Sequence, residues 1–322
     1  MILPAAWAQQ ITPRIGYAYP AGGRQGATFV MTVGGQYLEG VANVFVSGAG
    51  VRAEVIDFNK PMSQGQFNQL RDKMKELQAK QQAALRAGKN RNRPGSERTS
   101  TSTWMAADEK MVADIRAKML KNPPNRQGNP ALVETATMRV TVTSEAELGE
   151  REIRLGTPQG LSNPLKFCVG KLPEFSEPAA KAANPDVNRF KERSGKAPIE
   201  PPAKSEVRVT LPATVNGQIM PGSVDRFRFS ARQGQQLVIV ASARELIPYL
   251  ADAVPGWFQA TLALYDAKGK ELAYDDDFRF HPDPVLRYEI PADGDYVIEI
   301  KDAIYRGRED FVYRISVGEL PF

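Results

Sequence analysis

In the last third of the chain, apolar and polar residues alternate with a period of two through one short segment after another. Residues 226–229 alternate charged and aromatic side chains, and 237–240 form an unbroken apolar run. Tyr296, Ile298 and Ile300 share one face, with Val297 and Glu299 on the other, and Phe311, Tyr313 and Ile315 repeat the pattern. Successive strand residues point to opposite faces, so this spacing predicts strands with one face in a core. The segments 266–269 and 291–295 supply Asp, Gly and Pro, which tolerate sharp or left-handed backbone and so predict turns. Residues 205–322 are therefore expected to form an antiparallel β-sandwich.

The first part of the chain reads similarly but is interrupted. Residues 27–33, 41–46 and 51–56 are β-prone, with a turn expected at Gly34-Gly35. The pattern stops after Asp57 and resumes at Thr137, through 138–142, 151–155 and 163–169. Between the halves the period changes. Phe67, Leu70, Met74, Leu77, Ala84 and Leu85 recur at three- and four-residue steps, and Trp104, Met111, Ile115 and Met119 do the same. Each set marks one face of a helix. Thr103 is placed to cap the second helix and Asn122-Pro123-Pro124 to stop it. The two helices are expected to form a hairpin whose apolar faces pack on each other or on the sandwich. Residues 88–102, between them, read as a polar, basic loop. The predicted fold is mostly β, with two β-sandwich domains. The first, 11–170, carries a helical hairpin insertion at about 60–130, and a proline-rich linker, 171–204, leads to the second.

Two resemblances refine this reading. The last domain resembles the bacterial pre-peptidase C-terminal domain, through Gly222-Ser223-Val224-Asp225-Arg226-Phe227, Gly234-Gln235-Gln236-Leu237 and Leu264-Tyr265-Asp266. Tyr274-Asp275-Asp276-Asp277, Asp283-Pro284-Val285-Leu286 and Ala292-Asp293-Gly294-Asp295-Tyr296 extend the likeness. Residues 244–258 depart from it, being longer and more apolar than the short loop expected there. The resemblance implies a secreted accessory module without catalytic residues of its own. The first domain resembles the immunoglobulin-like IPT/TIG domain, through Pro13-Arg14-Ile15, Tyr19-Pro20, Gly26-Ala27-Thr28-Phe29 and Val33-Gly34-Gly35-Gln36-Tyr37-Leu38. Gly149 and the closing Thr157-Pro158-Gln159-Gly160-Leu161-Ser162-Asn163 complete the match. That resemblance implies an extracellular binding domain or a spacer.

Composition narrows the chemistry. A length of 322 residues suits two domains, and no apolar run approaches the roughly 20 residues of a membrane helix. One Cys and one His remove most thiol and metal chemistry. Cys168 stands in the apolar run 165–169 and reads as a buried strand residue rather than a nucleophile. Residues 1–10 end an apolar stretch in Ala6-Trp7-Ala8, a small-x-small pattern read as the remnant of a signal peptide. The expected location is secreted, periplasmic or at the cell surface. Residues 71–126 hold 14 Lys/Arg against 6 Asp/Glu, a balance of +8 where the whole chain carries +5. That basic protrusion could hold an anionic polymer or present a solvated helix face with intrahelical pairs such as Asp72 with Lys75 or Glu76 with Lys80. No nucleic-acid motif accompanies it, and no nucleic-acid partner is expected.

Catalytic motifs are missing from the sequence. There is no Gly-x-Ser-x-Gly elbow, His-Glu-x-x-His, Walker loop or dinucleotide fingerprint, and the single His281 lies in the turn-like Phe280-His281-Pro282-Asp283. The chain is expected not to be an enzyme. Two candidate sites remain. Asp275 and Asp277 open a loop with the alternation that lets both face one Ca²⁺, the one cofactor considered, or they form a solvated acidic turn. Tyr249, Trp257 and Phe258 cluster in the long loop, where aromatic faces could stack on a sugar or a partner, or plug the sandwich. The reading is a non-catalytic interaction module binding extracellular protein or polysaccharide. The alternatives are an accessory part of a longer secreted peptidase with further domains, and anionic-polymer binding through the hairpin.

Overall fold

The computed structural model describes residues 12–90, 104–121, 129, 131–177, 206–247 and 256–321. The signal-peptide remnant, Thr103, residues 91–102, the stop at 122–124 and the linker from 178 onward lie outside the described residues. The sequence of elements is mostly β, as the period-two pattern predicts.

The first sandwich is built from β1 (Arg14–Tyr19), β2 (Gly22–Arg24), β3 (Thr28–Gln36), β4 (Asn43–Val46), β5 (Val51–Asn59), β6 (Glu134–Val142), β7 (Gly149–Thr157), β8 (Gly160–Leu161) and β9 (Leu165–Gly170). One sheet runs β1-β3-β6-β5 and the other β2-β9-β7-β4, with β8 paired to β7. Alternate residues of facing strands, among them Met31, Val33, Met138, Val140, Ile153, Leu155, Leu165 and Phe167, fill the space between the sheets. Gly34-Gly35 is not a turn. Both stay inside β3, opposite Tyr17 and Ile15, and the turn comes later at Gly40, with φ 77°. The glycines serve packing, because a Cβ on Gly34 would lie 2.1 Å from the Tyr17 ring.

The insertion forms a unit of its own. It holds α1 (Gln64–Asn90) and α2 (Ala106–Lys121). Ser63 and Gln66 make a reciprocal capping box, each side chain accepting the other's backbone N–H (3.3 and 3.0 Å). Met74, Leu77 and Ile115 form the buried seam, with Leu70, Trp104, Val112 and Met119 packed against it. Asp72 pairs with Lys75, as expected. Glu76 instead pairs with Lys73, and Lys80 reaches across to Asp108 of α2 at 2.7 Å. Asp108 wins that contact because it is shielded between the helices and also accepts the Met105 N–H.

The second sandwich comprises β10 (Glu174–Ser176), β11 (Glu206–Arg208), β12 (Ala213–Gln218), β13 (Asp225–Ala231), β14 (Gln236–Ser242), β15 (Ala260–Asp266), β16 (Glu271–Asp275), β17 (Val285–Glu289), β18 (Gly294–Asp302) and β19 (Val312–Gly318). The sheets run β10-β12-β19-β14-β17 and β11-β13-β18-β15-β16. Phe227, Phe229, Leu262, Leu264, Tyr296, Ile298, Ile300, Phe311, Tyr313 and Ile315 lie between them. Glu174–Ser176, inside the expected linker, is a strand paired in parallel with β12 rather than free extended chain. Its backbone donors and acceptors find partners on the sheet edge, which composition alone does not reveal.

The two sandwiches share a third, smaller core. Tyr17, Tyr19, Ala21 and Leu132 of the first meet Leu246, Ile247 and Val312 of the second, with Cys168 packed alongside. Cys168 is a half-buried strand residue rather than the buried one the apolar run suggests, and burial pushes its thiol up, away from the thiolate form. The Tyr19 hydroxyl donates to the carbonyls of Glu177 (2.6 Å) and Asn216 (3.3 Å). Beside it, the Tyr313 hydroxyl donates to Asp225 Oδ2 at 2.8 Å. Burial and then the negative charge of Asp225 push the Glu177 carboxyl up to about 7. A carboxyl raised on folding binds its proton more tightly in the native state, so its contribution is most favourable at low pH. It is lost as pH climbs from about 4.5 to about 7. Glu177→Gln should flatten that fall and raise the melting temperature at pH 8 relative to wild type. A variant whose melting profile tracks wild type from pH 5 to pH 8 would show that Glu177 is not the group responsible.

Candidate binding surfaces

Strand pairing places four crossing loops at one end of the second sandwich, among them 219–224, since the end of β12 pairs with the start of β19 and the start of β13 with the end of β18. The start of β15 lies opposite the end of β18 (Ala260 with Asp302), and the end of β16 lies opposite Leu262. In the other sheet the end of β14 meets the starts of β17 and β19. The segments 219–224, 243–247, 256–259, 276–284 and 303–311 therefore share this end.

Asp302 organises this end. It is fully buried and accepts hydrogen bonds from the N–H groups of Gln259 (3.2 Å), Ile304 (3.2 Å) and Arg306 (3.0 Å). The Arg306 guanidinium adds two more, from Nε and Nη2, each at 3.0 Å. Burial opposes ionisation, but the Arg306 side chain and the backbone donors outweigh it and hold the carboxyl below its ordinary value. Arg306 also donates to the Trp257 carbonyl at 3.0 Å, which ties two loops together.

The expected site residues part company here. Trp257 is exposed, with the Arg244 guanidinium 5.7 Å from its ring centroid. Phe258 is not a ligand platform. It is buried in the core and stacks on Phe311 at 5.1 Å, because it falls in phase with the inward residues Ala260 and Leu262. Tyr249 lies outside the described residues. Asp275 is half-buried and its Oδ2 accepts the Val285 N–H at 2.8 Å, while Asp276 and Asp277 are exposed. Burial pushes the Asp275 carboxyl up, and its acidic neighbours add to that. Asp283, at the far end of the loop, accepts the N–H groups of Arg244 (2.6 Å) and Glu245 (2.9 Å). Asp275 thus ties the end of β16 to the start of β17, and Asp283 ties the loop to the turn at 244–246. Among the described residues, no group of three or more Asp, Glu, His or Cys gathers as a metal site would require.

The same loop carries a feature the sequence does not announce. Phe278 and His281 exchange two backbone hydrogen bonds, 2.9 and 3.0 Å, across Arg279 and Phe280. Those two central residues have φ 52° and 66°, the signature of a type I′ turn. Neither is Gly, Asn or Asp, so the left-handed backbone costs roughly 1–2 kcal/mol per residue. The turn holds Phe280 at an exposure of 102%.

A second surface lies on the outer face of the sheet β11-β13-β18-β15-β16. Its charges pair among themselves: Arg226 and Arg228 with Glu206, Arg226 and Lys301 with Glu299, and Arg208 with Asp295. Tyr265 lies under the Arg226 guanidinium, 5.2 Å away. Tyr274 (50% exposed) and Tyr305 (53% exposed) flank Lys301. The Lys301 Nζ donates to Tyr305 Oη at 3.1 Å, and that bond holds its pKa above the usual lysine value. Thr261 and Ala263, small side chains on β15, form the floor between them. Two open aromatic rings around a hydrogen-bonding cation suit a flat, hydroxyl-rich ligand. Tyr274 and Tyr305 were not among the expected site residues.

No protein-family model matches the chain. It is 28% identical over 166 residues to a probable subtilase-type serine protease of Deinococcus radiodurans, a match that covers 47% of this chain and 22% of that protein. The chain thus spans about a fifth of the length of the curated relative it matches. Among solved structures it is similar to the pre-peptidase C-terminal domain of a Bacillus anthracis collagenase. The likeness is 15% identical, covers 37% of this chain and 99% of that domain, and has a TM-score of 0.28. It is also similar to the secreted serine protease VesC of Vibrio cholerae, at 10% identity over 96% of this chain and 50% of that one, with a TM-score of 0.22. No described helix is long and apolar enough to cross a membrane.

Proposed function

We propose that this chain is a non-catalytic, extracellular interaction module that holds a neutral polysaccharide on the outer face of its second sandwich. The observation that carries this reading is the pair of open tyrosines, Tyr274 and Tyr305, around Lys301 on a face whose charges are internally paired. A face with its cations already matched offers little to an anionic polymer, whereas aromatic rings and hydroxyl donors suit sugar rings. Support for a non-catalytic role comes from His281, the single histidine, whose neighbour Asp283 is committed to backbone N–H groups rather than to orienting an imidazole. The IPT/TIG-like first domain serves as the spacer.

The likeness to a subtilase-type protease favours one context for this module, as an accessory part of a larger secreted peptidase. In that setting the sandwich keeps the enzyme near its matrix.

Affinity electrophoresis through gels containing neutral polysaccharides tests the reading. Tyr274→Ala should weaken retention by about five- to tenfold, the loss expected for one stacked ring. Retention on none of a broad panel of neutral glycans, or retention indifferent to Tyr274→Ala and Tyr305→Ala together, would remove polysaccharide binding from this face.

A further inference from the structure

One edge of the first sandwich stands open. The sheet β1-β3-β6-β5 ends on β5, and among the described residues β5 pairs with β6 alone. We propose that two copies of this chain join there, β5 to β5, in antiparallel pairing about a twofold axis at Ala53, so that the two sheets become one. An open strand edge is a template for another strand, because its backbone donors and acceptors lack partners. The opposite edge of the same sheet is already engaged. Ile15 of β1 donates its N–H to Asn163 Oδ1 at 2.9 Å, and Tyr17 and Tyr19 lie in the core shared with the second sandwich.

Backbone alternation fixes which groups face outward. The Thr143 N–H donates to the Gly50 carbonyl at 2.8 Å, and the strands stay in register from Val51 opposite Val142 to Val55 opposite Met138. Hydrogen-bonded pairs alternate along an antiparallel ladder, so Arg52 and Glu54 bond to β6, while Val51, Ala53 and Val55 turn their N–H and C=O groups to the open side. Pairing centred on Ala53 sets these three against one another, Val51 opposite Val55 and Ala53 opposite Ala53, and every outward group of the segment finds a partner. The charges select the same register. Val51, Ala53 and Val55 pack against the core, and Arg52 and Glu54 are exposed on the solvent face. Across the axis Arg52 falls opposite Glu54 of the second copy, and Glu54 opposite its Arg52, at the non-hydrogen-bonded positions where side chains approach most closely. Moving the centre to Arg52 would set arginine on arginine, and moving it to Glu54 would set glutamate on glutamate. Arg139 of β6, 3.8 Å from Glu54, extends the row, so cation, anion and cation follow one another across the joint. Beyond Val55 the register slips at a bulge, which ends regular pairing and confines the contact to 51–55. Charges and bulges keep an edge from pairing with arbitrary strands. Here they admit an identical strand, which is the self-complementarity an isologous contact requires.

Sedimentation equilibrium of the full chain over a micromolar concentration series tests this. The wild-type chain should show a reversible monomer–dimer equilibrium. Glu54→Arg and Arg52→Glu each set like charges opposite one another on both sides of the axis, and each should weaken dimerisation about ten- to a hundredfold. Both side chains are exposed, so each variant should keep the circular dichroism spectrum of wild type. Mixing the two variants in equal amounts should restore association, because the arginines of one chain then meet the glutamates of the other. Tyr274→Ala, on the second sandwich, should dimerise as wild type does, so failure here and failure of the polysaccharide reading are separable. A chain that stays monomeric at every concentration would leave the edge to some other strand and overturn the proposal. A dimer that survives both charge reversals, or a mixture of the two variants that stays monomeric, would overturn it equally.

Discussion

Asp302→Ala should destabilise the protein by about 3–5 kcal/mol, the range for removing one partner of a buried, hydrogen-bonded ion pair. The carboxylate is fully buried and serves five donors from two segments, so its loss strands the Arg306 guanidinium and three backbone N–H groups at once. Urea denaturation gives the magnitude. Hydrogen exchange gives the location, because protection should be lost first at 256–259 and 303–311, the loops that Asp302 joins. The pH dependence has a definite sign. A carboxyl whose native pKa is depressed contributes stability above its unfolded value, near 4, and loses it as pH falls through the native pKa. The difference between wild type and Asp302→Ala should therefore shrink on acidification. A loss below about 1 kcal/mol, the scale of an exposed ion pair, would mean that water replaces the carboxylate and the loop end is not held this way.

The role of Asp302 shows where sequence reading stops. The period-two pattern finds the inward residues of β13 and β18, and the helical period finds the seam of the hairpin, because both are local consequences of backbone geometry. The same pattern, carried two residues upstream of Ala260, would have marked Phe258 as inward, since Phe258, Ala260, Leu262 and Leu264 share one phase. Tyr274 and Tyr305 are different. They meet Lys301 only through the register of β16, β15 and β18, and register is a long-range property that composition does not encode. Phe280 is harder still. A type I′ turn is normally announced by Asn-Gly or Asp-Gly, and Arg279-Phe280 carries no such signal. Loops that break their own local rules are where function tends to lie.

Arg314→Met should be comparably costly, by about 3–5 kcal/mol. The guanidinium is almost wholly buried on the outer face of β19. It donates to Glu174 Oε1 (2.8 Å), Glu174 Oε2 (3.3 Å) and Asn216 Oδ1 (2.8 Å). Glu174 comes from β10, 140 residues earlier in the chain, so this one side chain clips the strand leaving the first sandwich to the middle of the second. The first sandwich leaves room for it. A Cβ on Gly22 would lie 2.8 Å from Arg314 Nη1 and 2.2 Å from the Cys168 carbonyl oxygen. Removing the arginine leaves Glu174 shielded and without its cation, and that uncompensated charge, more than lost packing, sets the penalty. The pair Arg314→Met with Glu174→Gln should therefore recover much of the stability lost in Arg314→Met alone. Chemical denaturation of the two single variants and the double variant gives the coupling directly. Additive losses, with no recovery in the double variant, would place the cost in the packing of the aliphatic stem and show that the ion pair does not fasten the two sandwiches.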